Sequence, residues 1–375
     1  MPANDERWVL IFSDGTGQRG VRDEADMPQI SGMTVKNTNV FQIYFATEGL
    51  PEFEAFYDAG LGAPAEGGNE WSRTLRNLWS KATGWGITAN ITDCYEALMM
   101  RWKPGMKIGL FGFSRGAYTV RCLGGVLATC GLATRMDGAP LPGDETAAAV
   151  KRRRAVAEEA VATYKIGKED KRRAAGQTFA ERHASELCVP DVIGVFDTVK
   201  ALGLPGVMNA VNPWQHEFHD SELASRVHVG LHALSIDENR KTFAPELWDD
   251  PDVEALAKGQ VIEQVWFPGV HSDVGGGYED GRLADLALQW MLARAEALVG
   301  LRIPLSVSIH DNLLAPSHNE RTGFGVLWRP GERAIRGKAV DVDAACADLE
   351  TRFDRHAPAY RPNPLSRHPR FARFY

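Results

Sequence analysis

IGLFGFSRG, at residues 108–116, is the stretch of this 375-residue sequence that decides its fold. It begins with an apolar run, which is typical of a strand buried on both faces of a parallel sheet. It ends in GFSRG, a GxSxG motif, whose spacing suits a serine on a tight turn between a strand and a helix. Glycines two residues to either side remove the side chains that would collide in such a turn. The stretch therefore predicts Ser114 as a nucleophile.

The same strand pattern recurs four more times along the chain, with helical patterns between the strands. The other predicted strands are residues 8–12, 192–196, 227–234 and 265–267. Helices are predicted over about 87–102, 115–129 and 283–298, where apolar side chains recur every three to four residues. This alternation predicts the fold class α/β, as an α/β-hydrolase fold with a mostly parallel, doubly wound sheet. The active site of such a sheet lies beyond the carboxyl ends of its strands.

Residues from about 135 to 185 interrupt the alternation with an alanine-rich segment of clustered charges. They include KRRR at 151–154 and KEDKRR at 168–173. We expect a charged helical insertion within a single domain over 1–375, either a solvated helical pair or a lid. Its Lys and Arg clusters would also suit peripheral contact with anionic lipid headgroups. Residues 300–375 are expected to form a C-terminal extension packed on the core.

Composition excludes some classes of protein. A net charge of -7 argues against nucleic acid as a partner. The five cysteines are scattered without a CxxC pair, which argues against a zinc site or a disulfide framework. We see no signal-peptide pattern and no transmembrane segment, and so expect a cytoplasmic protein, with export by a signal-less secretion system left open. No cofactor is expected, and the sequence does not determine the oligomeric state.

The general base that a serine nucleophile needs is best supplied by His271. It follows the last predicted strand in a glycine-rich loop, which would let the imidazole return to Ser114. His228 and His232 fall inside a predicted strand and are expected to be core histidines.

The acid that orients the histidine should lie between the nucleophile and the histidine, because α/β-hydrolases keep that order along the chain. Asp197 ends the strand 192–196 and is the first choice. Asp237 follows the next strand and is the alternative acid, and Asp273 is a third candidate.

The oxyanion of an acyl-transfer reaction needs preorganised N–H donors. One is expected from the backbone of Arg115, at the start of the following helix. The second is expected from Gly15 or Thr16, in the loop after the first strand. Asp14 is expected to cap its own glycine turn.

A metal site is the alternative for some of these side chains. Asp14, Asp197, His271 and Asp273 could together hold a divalent cation. No ligand spacing typical of a metal site supports it, and we predict no metal.

Five motifs occur in order: FSDGTG (12–17), GFSRGA (112–117), VFDTV (195–199), HALSIDE (232–238) and WFPGVHSDVGGGY (266–278). Together they resemble the DUF2235 family of α/β-hydrolases, related to the type VI secretion phospholipase effectors of the Tle1-like group. The resemblance covers roughly residues 7 to 290. It implies an α/β-hydrolase fold, Ser114 and His271 as catalytic residues with an aspartate, and carboxylic ester substrates, which are phospholipids in the effector branch. The sequence thus predicts an esterase, lipase or phospholipase that forms an acyl-enzyme on Ser114. The competing hypothesis is a non-catalytic interaction or lipid-binding protein that keeps the hydrolase fold.

Overall fold

The computed structural model describes most of the chain. The described residues are 6–15, 18, 20–22, 29–30, 33–34, 36–59, 84–136, 138–199, 223, 227–249, 253–257, 259–308, 312–321, 329–335, 340–341, 349–356 and 359–375. Thr16, one of the predicted oxyanion donors, lies outside them.

A seven-stranded sheet organises these residues, beside two short antiparallel pairs, Gln29–Ile30 with Met33–Thr34 and Arg135–Met136 with Ala139–Pro140. The strands of the large sheet are β1 (Trp8–Ser13), β2 (Phe53–Asp58), β3 (Lys107–Phe113), β4 (Val192–Phe196), β5 (Val229–Ser235), β6 (Val261–Phe267) and β7 (Val340–Asp341). They lie in the order β7-β6-β5-β4-β3-β1-β2, and every pair is parallel. Strands after β3 extend the sheet in one direction, whereas β1 and β2 lie on its other side. The predicted α/β-hydrolase fold is confirmed.

Helices cover both faces of the sheet. They are α1 (Asn39–Thr47), α2 (Gly84–Arg101), α3 (Arg115–Cys130), α4 (Ala147–Tyr164), α5 (Glu169–His183), α6 (Val253–Ala257), α7 (His271–Gly275), α8 (Arg282–Val299) and α9 (Leu349–Arg355). No helix within the described ranges is long and apolar enough to cross a membrane.

The strand β1 explains why the sheet needs helices on both sides. Its side chains alternate between faces. Val9 and Ile11 belong to the apolar cluster that α2 and α3 cover, whereas Leu10 and Phe12 belong to the cluster on the opposite face. All four are fully buried, so both faces must be covered.

The helical insertion packs on the outside of α2 and α3. Arg154 of α4 pairs with Asp93 of α2. Tyr164 lies so close to Gly125 that a Cβ there would be 2.5 Å from the ring. Gly176 of α5 lies against the carbonyl oxygen of Thr129. Because α3 starts beside Ser114 and rises about 1.5 Å per residue, Thr129 is roughly 20 Å further along. These contacts place the pair in the outer helical layer, and the lid stays a prediction.

The chain beyond residue 300 contributes to the same core. Leu301, Phe353 and Phe371 are buried in one cluster with side chains of β1 and β6. The strand β7 adds a parallel edge to β6. Contacts from this part of the chain also reach the carboxyl ends of the strands, where the candidate site lies.

Candidate active site

Ser114 lies on a strained turn between β3 and α3. Its φ of 58° and ψ of -121° are unusual for a residue with a side chain. The turn is possible because of the two glycines beside it. A Cβ on Gly112 would lie 2.6 Å from Cα of Ala117, and one on Gly116 would lie 2.0 Å from the carbonyl oxygen of Ser13. Backbone strain of this kind is typical of functional sites.

Asp197 and His271 form a close pair at the carboxyl ends of β4 and β6. Nδ1 of His271 lies 2.6 Å from Oδ2 of Asp197. Ser235 donates its backbone N–H to Oδ1 at 3.0 Å and its hydroxyl to Oδ2 at 3.1 Å. The Arg333 guanidinium also donates to Oδ2, at 2.7 Å. Of the candidate acids, Asp197 is therefore the one in contact with the candidate base.

The charge of Asp197 fixes how His271 is protonated at this contact. Burial alone would raise the pKa of Asp197, but Arg333 and His271 outweigh it and hold that pKa well below its usual range. An ionised carboxylate only accepts hydrogen bonds, so Nδ1 must carry the proton. Nε2 of the neutral imidazole then has a free lone pair, as a general base requires.

An aromatic contact brings His271 close to the residue that precedes the candidate nucleophile. Its ring lies 4.7 Å, centroid to centroid, from that of Phe113, the residue before Ser114. Phe243 packs edge-on at 5.2 Å. The backbone N–H of His271 donates to Glu238 at 3.3 Å. The imidazole is thus held from several directions and is only 5% exposed.

The other two candidate acids have different partners. Asp237 accepts hydrogen bonds from the backbone N–H of Gly269 at 2.7 Å and from the hydroxyls of Tyr360 and Ser317. Burial raises its pKa. Asp197 and Asp237 each follow a buried strand. Asp197 contacts the ring of His271, whereas Asp237 stabilises the loop that precedes His271.

Asp273 binds a different histidine. Its Oδ1 lies 2.6 Å from Nδ1 of His318, and its Oδ2 accepts the backbone N–H of Val270 and of His318. The contact raises the pKa of His318.

The predicted oxyanion donors differ in their availability. Arg115 is the first residue of α3, and so its N–H has no acceptor within the helix. The N–H of Gly15 donates to Oδ1 of its neighbour Asp14 at 2.7 Å, which confirms Asp14 as the cap of its glycine turn. Gly15 lies close enough to Ser114 to serve an oxyanion, since a Cβ on Gly15 would lie 3.3 Å from Cβ of Ser114. Its N–H, however, already donates to the Asp14 carboxylate. Thr16 therefore remains the predicted second donor.

The convergence that a metal site would require is not seen. Asp14 is held by the hydroxyls of Thr38 and Tyr57, at 2.6 and 2.7 Å, and burial raises its pKa to about 6. Among the described residues no three His, Cys, Asp or Glu side chains are grouped to hold a metal ion.

His232 and His228, the two histidines predicted to lie in the core, differ in burial. His232 is fully buried, and burial lowers its pKa to about 3, which confirms it as a core histidine. Its Nε2 accepts the N–H of Thr198 at 3.1 Å and so steadies the turn at Asp197. His228 is exposed just before β5, and its prediction as a core residue was wrong.

Sequence reasoning missed Arg333. It lies 136 residues from Asp197 in a segment without a motif. Ser235 also has no role in the sequence prediction, although its place at the end of a strand beside β4 is a signal that it could reach the acid.

A parallel sheet with a serine on a strained turn after β3, and a histidine–aspartate pair after later strands, defines an α/β-hydrolase. The chain belongs to the family described as the catalytic domain of Tle1-like phospholipase effectors of type VI secretion, whose model matches residues 7–294.

Several solved structures are similar to this chain, among them the following three. An uncharacterized protein from Pseudomonas aeruginosa is 19% identical over 80% of this chain and 47% of its own, with a TM-score of 0.38. The Tle1 effector bound to the VgrG spike is 16% identical over 73% of this chain and 51% of its own, with a TM-score of 0.36. An esterase from Thermogutta terrifontis with bound butyrate is 15% identical over 82% of this chain and 88% of its own, with a TM-score of 0.36. The chain thus spans about half the length of the first two.

Among curated proteins, an uncharacterized protein of Saccharomyces cerevisiae is 29% identical over 106 residues. Those residues are 26% of this chain and 16% of the yeast protein.

Proposed function

We propose that the protein hydrolyses carboxylic esters through an acyl-enzyme on Ser114. The observation that carries the proposal is the 2.6 Å contact between Asp197 and His271 beside a serine on a strained turn. Serine is a weak nucleophile unless a base takes its proton. The Asp197–His271 pair presents a suitable base, with its Nδ1 proton committed to the carboxylate.

The proposed reaction has two halves. Nε2 of His271 takes the proton of Ser114 as its oxygen attacks the ester carbonyl, and the Arg115 N–H donates to the oxyanion. His271 then gives the proton to the departing alcohol, which leaves an acyl group on Ser114. Water, deprotonated by the same imidazole, releases the acid and restores the serine.

Phospholipids are the proposed substrate class. Membership of the Tle1-like phospholipase family supports this choice over small soluble esters. The product would be a fatty acid and a lysophospholipid.

A paired measurement tests the proposal. Wild type and Ser114→Ala are assayed on p-nitrophenyl butyrate and on vesicles of phosphatidylethanolamine and phosphatidylglycerol. Ser366→Ala, a change at a partly exposed serine whose hydroxyl donates only to the Asn363 carbonyl oxygen among the described residues, is the matched control. We expect wild type and the control to release fatty acid from the vesicles, and Ser114→Ala to lose about 10⁴-fold or more in turnover.

Labelling of the nucleophile provides a second readout. A fluorophosphonate should modify wild type at Ser114, seen by peptide mass spectrometry, and leave Ser114→Ala unlabelled. Absence of turnover on every ester, or full activity of Ser114→Ala, would contradict the proposal and favour a binding protein that keeps the hydrolase fold. Turnover of p-nitrophenyl butyrate alone would retain the esterase and reject phospholipids.

A further inference from the structure

Arg333 contacts the same carboxylate oxygen that His271 uses. One guanidinium nitrogen lies 2.7 Å from Oδ2 of Asp197, and Nδ1 of His271 lies 2.6 Å from that atom. The side chains of Arg333 and Asp197 are 2% and 0% exposed. An ion pair shielded from water in this way interacts much more strongly than one at the surface. The charge of Arg333 therefore acts directly on the Asp197–His271 pair.

The backbone that carries Arg333 is fixed to the loop after β5. The N–H of Lys241 donates to the carbonyl oxygen of Arg329, and the N–H of Gly331 donates to that of Asn239, both at 2.9 Å. A Cβ on Gly331 would lie 2.6 Å from Cα of Lys241, so the two segments are in direct contact. Arg333 follows two residues later. Its approach to Asp197 is thus set by backbone pairing and does not depend on a free loop.

The rest of the guanidinium argues against a purely structural role. Nε and the second terminal nitrogen of Arg333 are buried and have no hydrogen-bond acceptor among the described residues. Buried N–H groups without partners cost stability. By comparison, Arg352 in the same part of the chain leaves only its Nε without an acceptor among the described residues, and its two terminal nitrogens donate to the carbonyl oxygens of Leu313 and Ala315 and to the hydroxyl of Ser317. Within the part of the chain that the structure describes, Arg333 makes one charged contact in an unfavourable setting, and that contact is with the candidate acid.

The other charged groups around His271 carry nearly equal numbers of positive and negative charges. Glu238 accepts the backbone N–H of His271 and pairs with Arg240 at 2.7 Å. Arg240 also pairs with Glu320 at 3.2 Å, and burial raises the pKa of Glu320. Asp273, on the same helix as His271, is paired with His318. Apart from that pair, the described charged groups include three carboxylates, Asp197, Glu238 and Glu320, and two guanidinium groups, Arg240 and Arg333. Removal of Arg333 would leave two more carboxylates than guanidinium groups. The added negative charge would favour the positively charged imidazole of His271.

We propose that Arg333 is a positioning residue of the Asp197–His271 pair: it fixes the Asp197 carboxylate and sets the pH at which His271 can act as a base. This inference rests on the proposed function. It also makes the segment around residue 333 part of the active unit, although the family model matches only residues 7–294.

The test is the pH dependence of kcat/KM on p-nitrophenyl butyrate. In Arg333→Gln the lost positive charge should move the rising limb of the profile to higher pH by about one unit. Arg333→Lys keeps the charge without the planar fork, so the limb should stay while kcat falls several-fold. Arg352→Gln is the matched control, because it removes a buried arginine from the same part of the chain without touching Asp197. It should lower thermal stability and leave the limb unmoved.

Each other outcome counts against the proposal. It is overturned by an unmoved limb in folded Arg333→Gln, or by an equal shift in Arg352→Gln. If Arg333→Gln does not fold, Arg333→Lys decides: a limb displaced by a full unit, or an unchanged kcat, overturns the proposal. These results can be told apart from failure of the proposed function, which would show as an inactive wild type or an active Ser114→Ala.

Discussion

The backbone N–H of Ser114 donates to the carbonyl oxygen of Phe196 at 3.0 Å. The candidate nucleophile is therefore one hydrogen bond and one residue away from Asp197 across the neighbouring strands β3 and β4. Both Ser114 and Asp197 have positive φ, at 58° and 40°. Two strained turns side by side at the carboxyl edge of the sheet bring their side chains to the same end of the molecule.

The choice of acid leads to a comparison of two variants. Asp197→Asn should lower kcat by about 10⁴-fold, because an amide favours the wrong tautomer of His271. Asp237→Asn should cost about tenfold or less, since Asp237 contacts Gly269 and Tyr360 instead. Steady-state kinetics on p-nitrophenyl butyrate measure both. The assignment of the acid is wrong if the two variants lose similar activity.

The crowding at Gly116 predicts a large effect from one methyl group. In Gly116→Ala the new Cβ would lie 2.0 Å from the Ser13 carbonyl oxygen. Both groups belong to the backbone, so neither can move away without a large energetic cost. We expect a loss of about 3 kcal/mol in the free energy of unfolding, measured in urea. Gly143→Ala is the control, since nothing lies within 4 Å of its Cβ position. Equal stability of the two variants would show that the turn tolerates a side chain.

Asp58 predicts a pH dependence of stability. Its carboxyl accepts hydrogen bonds from Ser13 and Asn90, each at 2.8 Å, but burial dominates and raises its pKa to about 7. A raised pKa means that the fold favours the protonated acid. The contribution is fully present below about pH 4 and is lost as the pH rises through 7. Wild type should therefore lose about 2 kcal/mol from this group between pH 5 and pH 8.

Urea unfolding of Asp58→Asn at those two pH values tests this dependence. The variant should lose less stability than wild type over the interval, because the amide does not ionise. Asp249→Asn, at an exposed aspartate, should follow wild type. The idea fails if Asp58→Asn shows the same dependence on pH as wild type.

The charged helical pair predicts a separation between chemistry and membrane contact. Lys151, Arg152 and Lys171 are exposed on α4 and α5, and the contacts of that pair lie along α2 and α3. A triple change to glutamate should alter turnover of p-nitrophenyl butyrate by less than about twofold. Sedimentation with anionic vesicles then measures whether these positive charges bind lipid. We expect a smaller fraction of the variant than of wild type to sediment with the vesicles. A large loss on the soluble ester would instead favour the lid.

Sequence reasoning succeeded where the pattern is local. Buried strands such as 192–196 have continuous apolar runs, and the helix predicted over 115–129 ends at Cys130, followed by Gly131 with a φ of 66°, a conformation that favours glycine. The strand Phe53–Asp58 was missed because it lies at the sheet edge, where its half-buried side chains do not form such a run.

Long-range contacts explain the other failures. Asp197 and Asp237 both end buried strands, and only the folded chain shows which carboxylate faces His271. Nothing local marks Arg333, since its role depends on pairing between residues 329–331 and 239–241. Gly15 was a reasonable oxyanion donor by position, but the carboxylate of the adjacent Asp14 already accepts its N–H.

The contact between Gly116 and the Ser13 carbonyl oxygen limits how this protein could be adapted to new substrates. The end of β1 and the start of α3 have no room between them for a side chain, so neither can shift without displacing the other. Variation in substrate preference is therefore expected in loops that approach Ser114 from elsewhere. A mutational library aimed at a new acyl group would do best to leave residues 13–15 and 112–116 unchanged.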